Sequence, residues 1–517
     1  MLKNRRLLII GGILLLMIFG VVWCNRVSIF GSGAKYAAAS LIPDDVGVVM
    51  VVDVPQIVSN IDFKEIQQTE QYQSGIADMT VSNPVFAEIF KDPIESGINY
   101  LKPAFFTNLI DSIRIEERFT TIVMSIKDRN VFEDVVTKAT LQDIKQMNGF
   151  KMVNLDRLNS VGWNGKYVVF ANAYLVVDME EKLDAYFNNP KAKSIFTKAS
   201  FSDALNEKGE MKFWVNMEAV GRNKEFATQL GLGELGRILF KGNFVIGGVN
   251  FSKGKMEGEA KFLFNLALKT GFRTFFRENF DSDFSKFIQE QDRGSTFVLA
   301  LNLPSIYELA VSDPGTRKLI ENSLAEQDID INEILRIMSG DFAIVNYYRP
   351  DYGISSQLYM TKIYRPDVMQ KYFSKVEQNG VMQKIGEGFY ATKFINNQQF
   401  GEDSTAVDST KLRNYHLMFK ENYVIFSDDL SALEDIYYGG YSSRQQMKKD
   451  VVSIMDDKYI YGEVDFEKMN FAISEETKYY ESLEFNLGSS NAKFEMIFKD
   501  KSLNTLQHML MSSVMGN

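Results

Sequence analysis

The sequence predicts an α+β fold: two homologous lobes from an internal duplication, each a mainly antiparallel sheet with helices packed on one face, preceded by one N-terminal transmembrane helix. Three observations predict it. The apolar run Val48-Val-Met-Val-Val-Asp-Val-Pro-Gln-Ile57 is written again as Phe297-Val-Leu-Ala-Leu-Asn-Leu-Pro-Ser-Ile306, its proline 249 positions downstream. A weaker form, Phe213-Trp-Val-Asn-Met-Glu-Ala-Val220, is echoed by Tyr461-Gly-Glu-Val-Asp-Phe-Glu-Lys-Met469. There Asn216 and Asp465 are again 249 apart, and the two copies within each half are 163 apart. Finally, several strands are joined by hairpins, without the strict strand-helix alternation of a doubly wound sheet.

Each motif reads as strand, cap and short helix. A Val-rich apolar run bounded by polar residues is a strand buried on both faces. Asp53, Asn216, Asn302 and Asp465 follow such runs, and Asp and Asn are preferred helix N-caps. Pro55 and Pro304 then fall in the first turn, where a missing N–H costs little. Asp53 and Asp465 could instead be catalytic carboxylates or metal ligands. Two of the four copies carry an amide, which caps but cannot ionise, and this favours capping.

Leu7 to Cys24 is an uncharged apolar run of 18 residues, about 27 Å as a helix and just enough for a hydrocarbon core. Lys3, Arg5 and Arg6 precede it, which leaves the N-terminus cytoplasmic and the body outside. A cleaved signal peptide competes, but its nearest small-residue site, Ala37-Ala38-Ala39, lies well past the run. A lipid anchor at Cys24 is the other alternative, although Trp23 stands where lipoprotein signals carry a small residue.

The expected organisation is a cytoplasmic stub and transmembrane anchor over 1–26 and a linker over 27–39. A first α+β repeat over 40–265, a connector over 266–291 and a second repeat over 292–517 follow. From Pro55 to about Leu109 the pattern is mostly helical, broken at Asn83-Pro84 and Asp92-Pro93. Strands are expected at Ile113–Ile115 and Phe119–Ile126, then a helix capped by Asp128 or Asn130. Tyr167–Phe170, a turn at Ala171-Asn-Ala173 and Tyr174–Val177 form an expected hairpin. It leads to a helix whose Asp178 and Glu181 have capping-box spacing. The later copy runs Tyr415–Phe419, Tyr423–Phe426 and Asp428-Asp429, with Tyr423 placed 249 residues after Tyr174. Asn396–Thr405 reads as a surface insertion, Lys253-Gly254-Lys255 as a hairpin turn, and Leu266–Gln291 as a helical, aromatic-rich connector.

Hydrophobic content of 45% and charged content of 24% are ordinary for a globular chain, so disorder is not the default. Residues 27–517 carry a net charge of −14 without a basic stripe, which argues against nucleic acid as a partner. The single cysteine, Cys24, and the two histidines, His416 and His508, exclude a His/Cys zinc site. A Ser-His-Asp triad would have to use one of those histidines. His416 lies in an alternating strand and His508 in a terminal helical run. Gly231-Leu-Gly-Glu-Leu-Gly236 matches the dinucleotide fingerprint by letter, but no strand precedes it. Asp328-Ile-Asp-Ile-Asn332 begins like a calcium loop, yet Glu333 and Ser339 replace the required Gly and Glu, so it reads as a helix start. Asp281-Ser-Asp283 reads as a solvated turn. No residue is singled out as catalytic, cofactor-binding or metal-ligating, and no cofactor is expected.

The segments Ile42-Pro-Asp-Asp-Val-Gly-Val-Val-Met-Val-Val-Asp53, Asp92-Pro-Ile-Glu-Ser-Gly-Ile-Asn99 and Lys102-Pro-Ala-Phe-Phe106 resemble a family of large Bacteroidota envelope proteins. That family is known only as a domain of unknown function. The resemblance implies an exported and lipid-anchored protein and supplies no catalytic residues. Together these readings lead to the expectation of a membrane-anchored extracytoplasmic envelope protein with a non-enzymatic binding or structural role, its partner another envelope protein or a polymer. The alternative is an envelope glycan hydrolase using paired carboxylates, which would need two acidic groups facing a cleft.

Overall fold

The computed structural model describes residues 35–109, 119–173, 175–221, 240–312, 314–315, 317–318, 330–349, 354–378, 380, 382–394, 413–439, 441–469 and 477–513. Ten strands come first: β1 Val48–Val52, β2 Ala104–Leu109, β3 Phe119–Ser125, β4 Lys145–Gln146, β5 Lys151–Asn154, β6 Asn159–Trp163, β7 Tyr167–Ala173, β8 Met211–Asn216, β9 Phe244–Ser252 and β10 Lys255–Leu263. Ten more follow: β11 Arg293–Ala300, β12 Met338–Arg349, β13 Ile354–Ile363, β14 Met382–Gly386, β15 Phe389–Phe394, β16 Arg413–Lys420, β17 Tyr423–Ser427, β18 Lys458–Asp465, β19 Tyr480–Gly488 and β20 Asn491–Phe498.

β1 lies between β2 and β8. From β2 the ladder continues through β3, β7, β6, β5 and β4, and from β8 through β9 to β10. β11 takes the same place between β12 and β18, with β13, β17, β16, β15 and β14 on one side and β19 and β20 on the other. Two compact units divide the chain. One holds residues 1–268 together with 495–517, and the other holds 269–494.

The expected fold class is corrected in three respects. The described strands form one 20-stranded antiparallel network, not a separate sheet in each of two lobes. Helices do not keep to one face. In β1, Met50 and Val52 pack with the helices Val54–Asn60, Phe63–Gln67, Glu70–Ser82 and Pro84–Lys91, whereas Val49 and Val51 pack with Met179–Phe187 and Ala199–Asn206. In β16, Met418 faces the cluster that holds Leu433 and Ile436, and Leu417 and Phe419 face the one that holds Met369. A strand apolar at successive residues exposes apolar surface on both sides and needs a cover on each. The third correction concerns the transmembrane helix. Leu7–Cys24 lies outside the described residues, and no described helix is long and apolar enough to cross a membrane.

Local details also differ from expectation. β7 runs unbroken through Ala171-Asn-Ala173, and Asn172 donates across to the side chain of Asn159 at 2.8 Å. The hairpin turn lies earlier, at Asn164-Gly165, where the Asn164 side chain accepts from the N–H groups of Lys166 and Tyr167. Asn-Gly between apolar runs is a strong hairpin signal. Tyr174 lies outside the described residues, as do Ile113–Ile115, Gly231–Gly236 and Asn396–Thr405. The connector is α-helical over Leu266–Phe275 and forms a single 3-10 turn at Ser285–Phe287, and between them Phe276 bridges to Leu301. Lys253-Gly254 does turn the chain from β9 into β10, with Gly254 at φ +66°.

Candidate functional site: a closed polar cluster at the end of β1

Asp53 begins the helix Val54–Asn60, and its N–H donates to the Glu210 carbonyl at 2.8 Å. Its carboxylate does not cap the helix. A cap accepts from the second or third helical N–H; Pro55 takes the second position and has none, while the Gln56 N–H is engaged by the Asp53 carbonyl. The buried carboxylate pairs instead with the Lys35 ammonium. Burial by itself would lower the Lys35 pKa, and the Asp53 carboxylate reverses this and raises it. Tyr36 beneath Lys35 is edge-on to Phe105 at 6.5 Å, and Lys212 reaches its hydroxyl at 3.5 Å.

Glu210, directly before β8, is only 2% exposed. One carboxylate oxygen accepts from the Asn60 amide and the other from the Phe251 N–H at 2.8 Å. Burial pushes its pKa up, the charge of Asp53 adds to this, and the two hydrogen bonds oppose it.

The other motif positions divide by whether a proline follows. Asn216 accepts from the Glu218 N–H at 3.1 Å and so caps the helix Met217–Gly221, and Asp465 accepts from the Glu467 and Lys468 N–H groups in the turn after β18. Asn302, which Pro304 follows, turns its amide to the Arg273 carbonyl at 3.4 Å. Capping also occurs at Asp128, Asp178, Asp330 and Asp429. Asp428 accepts from the Gln357 N–H instead.

The second unit holds two further polar clusters. Arg293, at the start of β11, pairs with Glu463 and Glu290, each at 3.0 Å, and donates to Thr296. Lys449 joins Glu463, Glu484 and the Tyr461 hydroxyl to the same group. Burial would raise the Glu463 pKa, but the charge and hydrogen bond of Arg293, with Lys449 and the Tyr461 hydroxyl, together outweigh it and hold the carboxyl low. In β12, Asp341 is fully buried and accepts from the Ser282 hydroxyl at 2.6 Å and the Asp281 N–H at 3.2 Å, with Arg277 at 3.5 Å. Burial lifts its pKa to about 6. Asp281 is therefore tied down, and Lys362 pairs with it at 3.1 Å.

His416 lies half-buried in β16, its Nδ1 without a hydrogen bond, and burial lowers its pKa. His508 lies in the helix Thr505–Ser513, edge-on to Phe498, with its pKa likewise lowered by burial. Among the described residues no group of three or more His, Cys, Asp or Glu could hold a metal.

Two carboxylates in unlike surroundings are what acid-base chemistry uses. Asp53 and Glu210 have unlike surroundings, but one is bound to Lys35 and the other is inside the protein with both oxygens engaged. The arrangement anchors backbone: it fixes the end of β1, the start of β8 and the end of β9 to one another. The sequence reading did not find Lys35, Asn60, Glu210 or Arg293. Its usable signal was a charge abutting or interrupting an apolar strand, as at Glu210, Arg293, Asp341 and Glu463, since such a charge needs a buried partner.

The chain belongs to the family described as Domain of unknown function (DUF4836), which matches residues 38–348. No curated protein matches it. Among solved structures it is similar to crystal form III of TP0453, with a TM-score of 0.26 and 7% identity over 46% of this chain and 86% of that one. Crystal form I of TP0453 gives a TM-score of 0.27 at 7% identity, over 47% and 81% of the two chains.

Proposed function

We propose that the protein is a membrane-anchored extracytoplasmic envelope protein of the Bacteroidota type, with a non-enzymatic binding or structural role. Its N-terminal segment attaches it to the inner membrane with the N-terminus cytoplasmic, and its partner is another envelope protein or a polymer. The observation that carries the non-enzymatic part is the closure of the polar clusters, in which Glu210, Asp53 and Glu463 each bind groups of the chain itself. The net charge of −14 over residues 27–517 supports a partner other than nucleic acid. The anchor rests on the apolar run Leu7–Cys24 behind Lys3, Arg5 and Arg6.

The test has two arms. Fractionated cells should hold the protein in the membrane pellet, and its N-terminal sequence should begin at Met1 or Leu2. A terminus at Cys24 would replace the transmembrane anchor with a lipid one, and a terminus at Ser40 would remove both. The purified protein should release no reducing ends from envelope glycan. Release that is abolished by Glu210→Gln would replace the binding role with the hydrolase reading.

A further inference from the structure

The first unit takes its last part from the far end of the chain. After β20 the backbone returns along the β9–β10 turn: the Phe498 N–H donates to the Gly254 carbonyl at 2.9 Å, and the Gly254 N–H to the Leu503 carbonyl at 3.0 Å. Lys255 pairs with Glu495 at 2.6 Å. The Asn504 amide donates to the Phe251 carbonyl at 2.8 Å and the Thr505 hydroxyl to the Lys255 carbonyl at 3.1 Å. Gln507 accepts from the Asp62 N–H at 3.0 Å and donates to Glu65 at 2.8 Å. Leu506 and Leu510 complete the apolar cluster beneath the helices of residues 54–91. Asn504, Thr505, Leu506, Gln507 and Leu510 are all buried. Phe251 thus binds Glu210 through its N–H and Asn504 through its carbonyl, so the terminal segment extends the polar cluster at the end of β1.

We propose that residues 500–513 are a clasp that closes the first unit last, and that folding of the second unit is what delivers it. Gln507 lies 445 residues from Asp62, its partner. In an unfolded chain that loop carries a closure cost growing with its length. Folding of residues 269–494 takes about half of that loop, the whole of the part that lies outside the first unit, out of the flexible chain. Until the clasp docks, Asp62, Glu65 and Phe251 lack these partners, and the apolar surface beneath residues 54–91 is incomplete. The dependence runs one way: the first unit needs the second to be folded, and the second does not need the clasp. This is separate from the binding role proposed above and does not rest on it.

Hydrogen exchange of the full-length protein tests this. A chain ending at Asp500 should exchange at least tenfold faster across residues 54–91 and unchanged across β11 and β18. A synthetic peptide of residues 499–517 should restore the protection. In the full-length chain, Gln507→Ala should give a smaller effect of the same pattern. Leu433→Ala, which loosens the second unit, should speed exchange in both units. Unchanged protection of residues 54–91 in the chain ending at Asp500 would overturn the clasp. Equal loss in both units of that chain, or a Leu433→Ala effect confined to the second unit, would overturn the one-way dependence.

Discussion

At the scale of single residues, the polar groups divide into those that end a helix and those that tie strands together. Asn216, which caps the helix Met217–Gly221, belongs to the first kind, and Asn216→Ala should cost about 0.5–2 kcal/mol in a urea titration. Asn216→Asp should be nearly silent. Asp53 belongs to the second. A double-mutant cycle of Asp53→Asn with Lys35→Met should give a coupling on the order of 1 kcal/mol, whereas zero coupling would return Asp53 to the capping class. These four motif positions looked alike in sequence, and the difference between them was already written there. The proline two residues on, compatible with a helix's first turn, removes the N–H a cap would use. Asp341 offers a pH test. Its folded-state pKa of about 6 lies above the ordinary carboxylate value, so its contribution is fully present below that ordinary value and is lost as pH rises through about 6. Between pH 4 and 8, wild type should therefore lose stability relative to Asp341→Asn. A difference that grows in favour of wild type over this range would refute the assignment.

Among elements, the strands were more legible than their surroundings. Apolar runs mark both β1 and β11, and β1, covered on both sides, must be apolar at successive positions. The same fact excludes helices on a single face, an inference the sequence reading did not draw. A hairpin is expected at Ala171-Asn-Ala173 from the two apolar runs that begin at Tyr167 and Tyr174, whereas the turn is made at Asn164-Gly165, where the Asn164 side chain binds the N–H groups of Lys166 and Tyr167. Helices docked on either face contribute through few large contacts. Leu433, fully buried in the helix Leu430–Tyr438, should cost about 2–5 kcal/mol as Leu433→Ala. A cost below 1 kcal/mol would mean that this helix is not part of the core.

Over the whole molecule, sequence spacing located β1 and β11 at equivalent places in the ladder but said nothing of where the ladder stops. Pairing between strands is a non-local property, and local periodicity does not report it. Nor did it reveal that residues 495–513 belong with the first unit, since the helical pattern there is the same whichever surface it covers. Where the chain may be cut is a consequence of this arrangement. The family match ends at residue 348, inside β12, and begins three residues after Lys35. A fragment trimmed to those limits would lose the partner of Asp53, strip β11 of β18 and β12 of β13, and leave out the segment that seals residues 54–91. It would present open strand edges beside uncovered apolar faces, the surfaces that drive edge-to-edge aggregation. Residues 38–348 expressed alone should therefore collect in the insoluble fraction and residues 35–513 should not, so the natural unit of excision is set by hydrogen-bonded neighbours and not by the span of detectable kinship.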